Sequence, residues 1–131
     1  MALGTLPGIE PVTVFRLGEP LVVYRIVKSA SPFDPALADS FKSNYELGRP
    51  PRRTEVRFTP THMGISVYLA QERARETAVV WPRLGEYIAE VNLEPDIGAA
   101  FALTAQPGHL TVWGRAPQLL AAVADIVPVE G

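Results

Sequence analysis

The chain has no cysteine among its 131 residues. Disulfide cross-links, thiolate zinc sites and cysteine nucleophiles are therefore excluded. It has only two histidines, His62 and His109, so a histidine-rich metal site is not expected. The loop pair Glu94 and Asp96 supplies too few oxygen ligands for a hard cation. No run of about 18 consecutive apolar residues occurs, which argues against a membrane-spanning helix. No basic segment followed by an apolar stretch opens the chain, so no secretory signal is expected. A basic excess is also missing. The formal net charge is -2, which speaks against general nucleic-acid binding. There is no Gly-x-Gly-x-x-Gly fingerprint, phosphate loop or nucleophile elbow, and no internal repeat.

What is present describes a chain able to bury a core. Hydrophobic residues make up 47% and charged residues 20%. The length suits one domain, 1–131, with residues 1–10 as an irregular arm. The expected setting is the cytoplasm of a bacterium-like cell. Proline and glycine are frequent, 13 and 10, and they divide the chain into short elements.

Residues 12–16 are β-rich, and Leu17-Gly18-Glu19-Pro20 is turn chemistry. Leu21-Val22-Val23-Tyr24-Arg25-Ile26-Val27 follows, nearly all apolar, as expected of a strand buried on both faces. The two strands could pair as a hairpin. Arg25 shares its face with Leu21, Val23 and Val27, because strand side chains alternate. A guanidinium there needs a carboxylate partner or a cleft in which to clamp an anion. Asp34-Pro35 reads as an N-cap and first turn. Leu37, Phe41 and Tyr45 recur every four residues, predicting a helix over about 35–46 that stops at Gly48.

Arg49, Arg52, Arg53 and Arg57 then lie within nine residues, interleaved with prolines. Proline holds this backbone extended, so the arginines are displayed as a solvated basic loop or as a phosphate grip. Ile65, Val67 and Leu69 alternate with Ser66, Tyr68 and Ala70 in a strand. Residues 71–81 form a helix with Ala74, Ala78 and Trp81 on its inner stripe, and Glu72 and Arg75 can pair outside it. Pro82 ends that helix. In the strand Gly85–Leu93, Ile88, Glu90 and Asn92 share one face. Ala100–Thr104 and His109–Trp113 are further strands. Pro117 starts a last helix, with Leu119, Leu120 and Val123 facing inward. Ile126–Val129 is a final strand, placed at a sheet edge by Pro128. The order predicts an α+β fold. About three short helices pack on a mostly antiparallel sheet, either curved or split in two.

The pieces Tyr24-Arg25-Ile26, Arg57-Phe58-Thr59-Pro60 and Gly64-Ile65-Ser66-Val67-Tyr68-Leu69-Ala70 precede the Ala74/Ala78 helix. In this order, the stretch from about 21 to 93 resembles the RES domain, a bacterial toxin family related to the ADP-ribosyltransferase fold. The resemblance implies an NAD-consuming enzyme that cleaves the bond between nicotinamide and ribose, with NAD as substrate. Glycohydrolase, phosphorylase or ADP-ribosyl transfer chemistry would each fit it, and an antitoxin would be the natural partner. It also implies roles. Arg25 would hold the diphosphate or ribose, Arg57 would add a charge-assisted contact, and Tyr68 would stack on nicotinamide. Departure from an oxocarbenium-like ribose also calls for a carboxylate.

The family usually places a glutamate near the end of the alanine-rich helix, where this chain has Thr77-Ala78-Val79-Val80. Glu90 is the alternative acid. Arg53 joins Arg57 as a cofactor-binding candidate. His109, beside Thr111 and Trp113, could form part of a stacking wall. The opposing reading is a catalytically inactive α+β binding module. It would act by protein–protein contact, or by gripping an anionic ligand through the arginine loop, and it expects no acid to reach Tyr68.

Overall fold

The computed structural model describes residues 14–49, 63–104 and 107–130. In chain order they form β1 (Phe15–Arg16), β2 (Leu21–Val27), α1 (Pro35–Asp39), β3 (Ile65–Tyr68), α2 (Gln71–Val80) and β4 (Tyr87–Leu93). These are followed by β5 (Ala100–Leu103), β6 (His109–Trp113), α3 (Ala116–Ala121) and β7 (Val123–Pro128). The fold is α+β. One seven-stranded sheet runs β1-β5-β6-β3-β2-β4-β7, and its pairings are antiparallel. The sheet is not split, because β2 pairs with β3 on one side and with β4 on the other.

β2 carries the architecture. All seven of its residues pair with β4, from Leu21↔Leu93 to Val27↔Tyr87. Its two faces feed two different cores. Val23 and Val27 pack with Leu37 and Phe41 from the α1 region, Ala116 and Leu119 of α3, and Ala89, Val91 and Leu93 of β4. Ile26 packs on the other side with Tyr68, Ile88, Val129 and the α2 residues Ala74 and Ala78. This explains the near-continuous apolar run. Topology then assigns the helices to faces. β3 and β4 flank β2, so α2, which joins them, crosses over β2. α3 joins β6 to β7 across the opposite face. The alanines of α2 let it approach the sheet closely, and Ala74 is fully buried.

Four local expectations are corrected. The hairpin between the first two strands is not formed. Both edges of β2 are occupied, and β1 pairs instead with β5, where Phe15 stacks on Phe101 at 5.5 Å. The first helix is shorter than the 35–46 periodicity suggests. Ser40 Oγ bonds back to the Ala36 carbonyl at 2.7 Å, a local competitor to helix propagation. A separate turn follows, held by Ser43 N–H donating to Glu46 Oε1 and Glu46 N–H donating to Ser43 Oγ. Phe41 stays buried while Tyr45 is exposed. Trp81 is not on the inner stripe of α2. It caps the helix with non-helical angles, φ -124° and ψ 74°, which turn it out to solvent. Arg75 does not pair with Glu72 but donates to the Val129 carbonyl at 2.6 Å.

β7 lies at the sheet edge, as Pro128 indicated. Its outward side is short of donors. Val129 N–H bonds to the Glu86 carbonyl, so by antiparallel alternation positions 126 and 128 face away from β4. Pro128 has no N–H, and Ile126 N–H is taken by the Asp125 carboxylate at 2.9 Å. This is a way of blunting a free edge. Replacing Asp125 by Ala together with Pro128 by Val restores two outward donors. The double variant is expected to self-associate at concentrations where the parent does not, read by sedimentation velocity.

Candidate functional site

The β-register assembles one polar row across the α2 face of the sheet. His109 of β6 is paired with Tyr68 of β3, Tyr68 with Tyr24 of β2, Tyr24 with Glu90 of β4, and Glu90 with Asp125 of β7. Residues directly opposite in a ladder point to the same face, so the five side chains stand side by side. Tyr68 is only 7% exposed and meets the His109 ring edge-on, with centroids 5.3 Å apart. Tyr24 Oη lies 3.5 Å from Glu90 Oε1, at the outer limit of a hydrogen bond. A β-bulge follows Glu90, where the pairing with β7 shifts register. Bulges of this kind re-aim side chains near sheet edges.

His109 is fixed by its neighbours. Its Nδ1 lies 3.1 Å from the Thr104 carbonyl and 2.9 Å from Thr104 Oγ1. A carbonyl can only accept, so Nδ1 carries the proton. Thr104 Oγ1 also meets Thr111 Oγ1 at 2.8 Å. Burial lowers the His109 pKa below its ordinary 6.5. The Thr104 carbonyl opposes that shift, and the Arg25 charge adds to it.

Arg25 does not join the row. It projects from the opposite face of β2, with Val23 and Val27. Its Nε donates to the Ser40 carbonyl at 3.0 Å and its Nη1 to the Ser66 carbonyl at 2.7 Å. The registered pairing of β2 with β3 is confined to Tyr24↔Tyr68, so this guanidinium supplies donors beyond the end of the ladder. It joins the α1 region to β3. Two backbone carbonyls are thus among its partners.

Glu90 is two strands away from Tyr68, about 10 Å at ordinary strand spacing, with Tyr24 between them. Arg53, Arg57, Arg52 and His62 lie outside the described residues. Tyr24 and Asp125 were not among the expected site residues. The alternation within β2 places Tyr24 on the face opposite Arg25, but its neighbours depend on strand order, which no spacing records.

Two depressions border this face. A shallow niche of about 20 Å³ is lined by Tyr24, Gln71, Ile88, Glu90, Asp125 and Val127. That is below the size of ordinary small-molecule sites, about 300–1,000 Å³. An open groove of about 420 Å³ lies at the other end of α2, lined by Ala78, Val79, Pro82, Gly85, Glu86, Tyr87, Pro128, Val129 and Glu130. A Cβ at Gly85 would collide with the Val27 carbonyl oxygen, so that wall requires glycine. Val79, Val80 and Trp81 stand exposed beside it at 62%, 65% and 64%. Among the described residues there is no cluster of three or more side chains suited to a metal ion. No described helix is long and apolar enough to cross a membrane.

Fold and faces together define an α+β protein with helices on both sides of an antiparallel sheet. No protein-family model, curated protein or solved structure matches the chain.

Two measurements test this geometry. Arg25→Ala leaves the Ser40 and Ser66 carbonyls without these donors and is expected to cost about 1–3 kcal/mol in chemical denaturation. Arg25→Lys should recover little, since one ammonium does not reproduce the planar fork. For His109, the folded-state pKa lies below the unfolded one, so the unfolded chain binds the extra proton on acidification. The stability contributed by neutral His109 is present above pH 6.5 and is lost as pH falls through the lowered folded value. A stability profile of His109→Gln beside the parent should lack that component of the slope.

Proposed function

We propose that the chain is a non-catalytic binding module that acts by protein–protein contact through the face at the C-terminal end of α2. One observation carries this reading. Val79, which lines the groove, and Val80 and Trp81, which follow it in the chain, remain more than half exposed. Exposed large apolar side chains at and next to a groove are a mark of an interaction site. The polar row adds support. Its acid is separated from Tyr68 by Tyr24, the niche beside it is small, and Arg25 stands on the other side of the sheet. The larger groove offers a nucleotide diphosphate two carboxylates, Glu86 and Glu130, and no cation among its described lining residues.

The second reading is the NAD-consuming enzyme of ADP-ribosyltransferase or RES-like type, acting as a toxin. It is favoured by the shared face of Tyr24, Tyr68 and Glu90. It would use Glu90 as the acid and Tyr68 as the stacking wall, with the arginines at 53 and 57 holding the diphosphate.

The deciding experiment incubates the chain with millimolar NAD and separates the products by chromatography, with Tyr68→Phe and Glu90→Gln in parallel. The expected result is no nicotinamide release and no rise in melting temperature with NAD. Nicotinamide release that is lost in both folded variants would overturn the module reading and establish the enzyme.

A further inference from the structure

We infer that the partner is a protein segment carrying arginine or lysine beside apolar side chains. It docks along the β4–β7 edge by side-chain insertion rather than by adding a strand. This rests on the binding-module reading above.

The groove selects for such a segment in two ways. Ala78, Val79, Pro82, Tyr87, Pro128 and Val129 contribute apolar atoms to its lining. Its charged lining residues, Glu86 and Glu130, are both acidic and both exposed. The acidic character continues along the edge. Glu86 immediately precedes β4, and Glu90 follows within that strand. Asp125 stands directly opposite Glu90. Two like charges facing each other across a ladder are unfavourable, and a cation brought between them removes that cost. Arg75, which reaches this edge from α2, is committed to the Val129 carbonyl. Glu86 and Glu130 are therefore left for an outside cation, while the exposed Val79 offers apolar contact.

The backbone of β7 excludes the commonest alternative use of a sheet edge. Strand addition depends on a row of main-chain donors and acceptors. Position 128 is proline, and Ile126 N–H already donates to Asp125. The outward edge of β7 thus has no free donor at these two positions, and recognition falls to side chains.

The test selects peptides from a random displayed library on the immobilised full-length chain and titrates one recovered peptide by fluorescence anisotropy. Recovered peptides are expected to combine Arg or Lys with apolar residues. Val79→Glu should abolish binding, with Val79→Ser as a milder second variant and circular dichroism to verify folding. The Glu86→Gln/Glu130→Gln pair should weaken binding about tenfold and flatten its salt dependence, as expected for charge pairs at a solvated rim. N-methylation of the peptide backbone should leave affinity unchanged. Peptides that need Val79 but are indifferent to Glu86 and Glu130 would overturn the basic partner and leave the module reading standing. Loss of binding on N-methylation would overturn side-chain docking. Self-association of the parent that disappears in Val79→Glu would put a second copy in the groove, also overturning the inference. Failure to recover any peptide that depends on Val79 overturns it outright. Nicotinamide release by the same preparation would additionally overturn the module reading.

Discussion

The pairing of β2 with β4 is the constraint on which the rest of the molecule depends. Seven consecutive residue pairs join the strands, and each of their faces must be covered. A strand buried on both sides cannot sit at the edge of a sheet. It therefore takes β3 on its other flank, and that choice sends α2 across one face. With α2 placed, the opposite face is left for α1 and α3. Fully buried aliphatic side chains contribute about 1.5–3 kcal/mol each, and Val23, Val27, Ile88 and Leu93 are all buried in or beside this ladder. Few alternative arrangements would cover both faces of β2 as well.

The same constraint separates the polar residues into two groups. Odd positions of β2 look toward α1 and α3, and even positions look toward α2. Arg25 and Tyr24 are neighbours in sequence but are divided by the thickness of the sheet. Arg25 acts as a brace between α1 and β3, bonded to two carbonyls. Tyr24 instead joins Tyr68, His109, Glu90 and Asp125 in a row beneath and beside α2. Where α2 ends at Trp81, its cover ends too, and apolar surface emerges next to acidic side chains. The interaction surface proposed for the chain is a consequence of where that helix stops.

Much of the fold was legible from local pattern. The apolar run Leu21–Val27, the alternation in Ile65–Ala70 and Tyr87–Leu93, and the small residues of α2 all announced the elements that formed. Pro128 correctly marked an edge, because a residue without an N–H is poorly suited to an interior ladder. The partner of each strand was less legible. Turn chemistry at Leu17–Pro20 favours a local hairpin, but a local preference yields when both edges of the second strand are needed elsewhere. Trp81 looked like core because it fell on the alanine stripe. Pro82 ended the helix at that point and turned it outward.

The sequence by itself determined the α+β class, most of the buried strand faces, and the exclusion of thiol chemistry. These follow from residue type and from periods of two and about four residues, which are local properties of the chain. Tertiary structure alone decided that Tyr24, Tyr68, His109, Glu90 and Asp125 stand in one row while Arg25 stands apart. It also decided that the Asp125 carboxylate and Pro128 leave the neighbouring edge short of donors beside an acidic groove. The reason is that strand order and register are set by covering both faces of the central ladder at once. That requirement acts between residues far apart in sequence and leaves no trace in the spacing of any one segment.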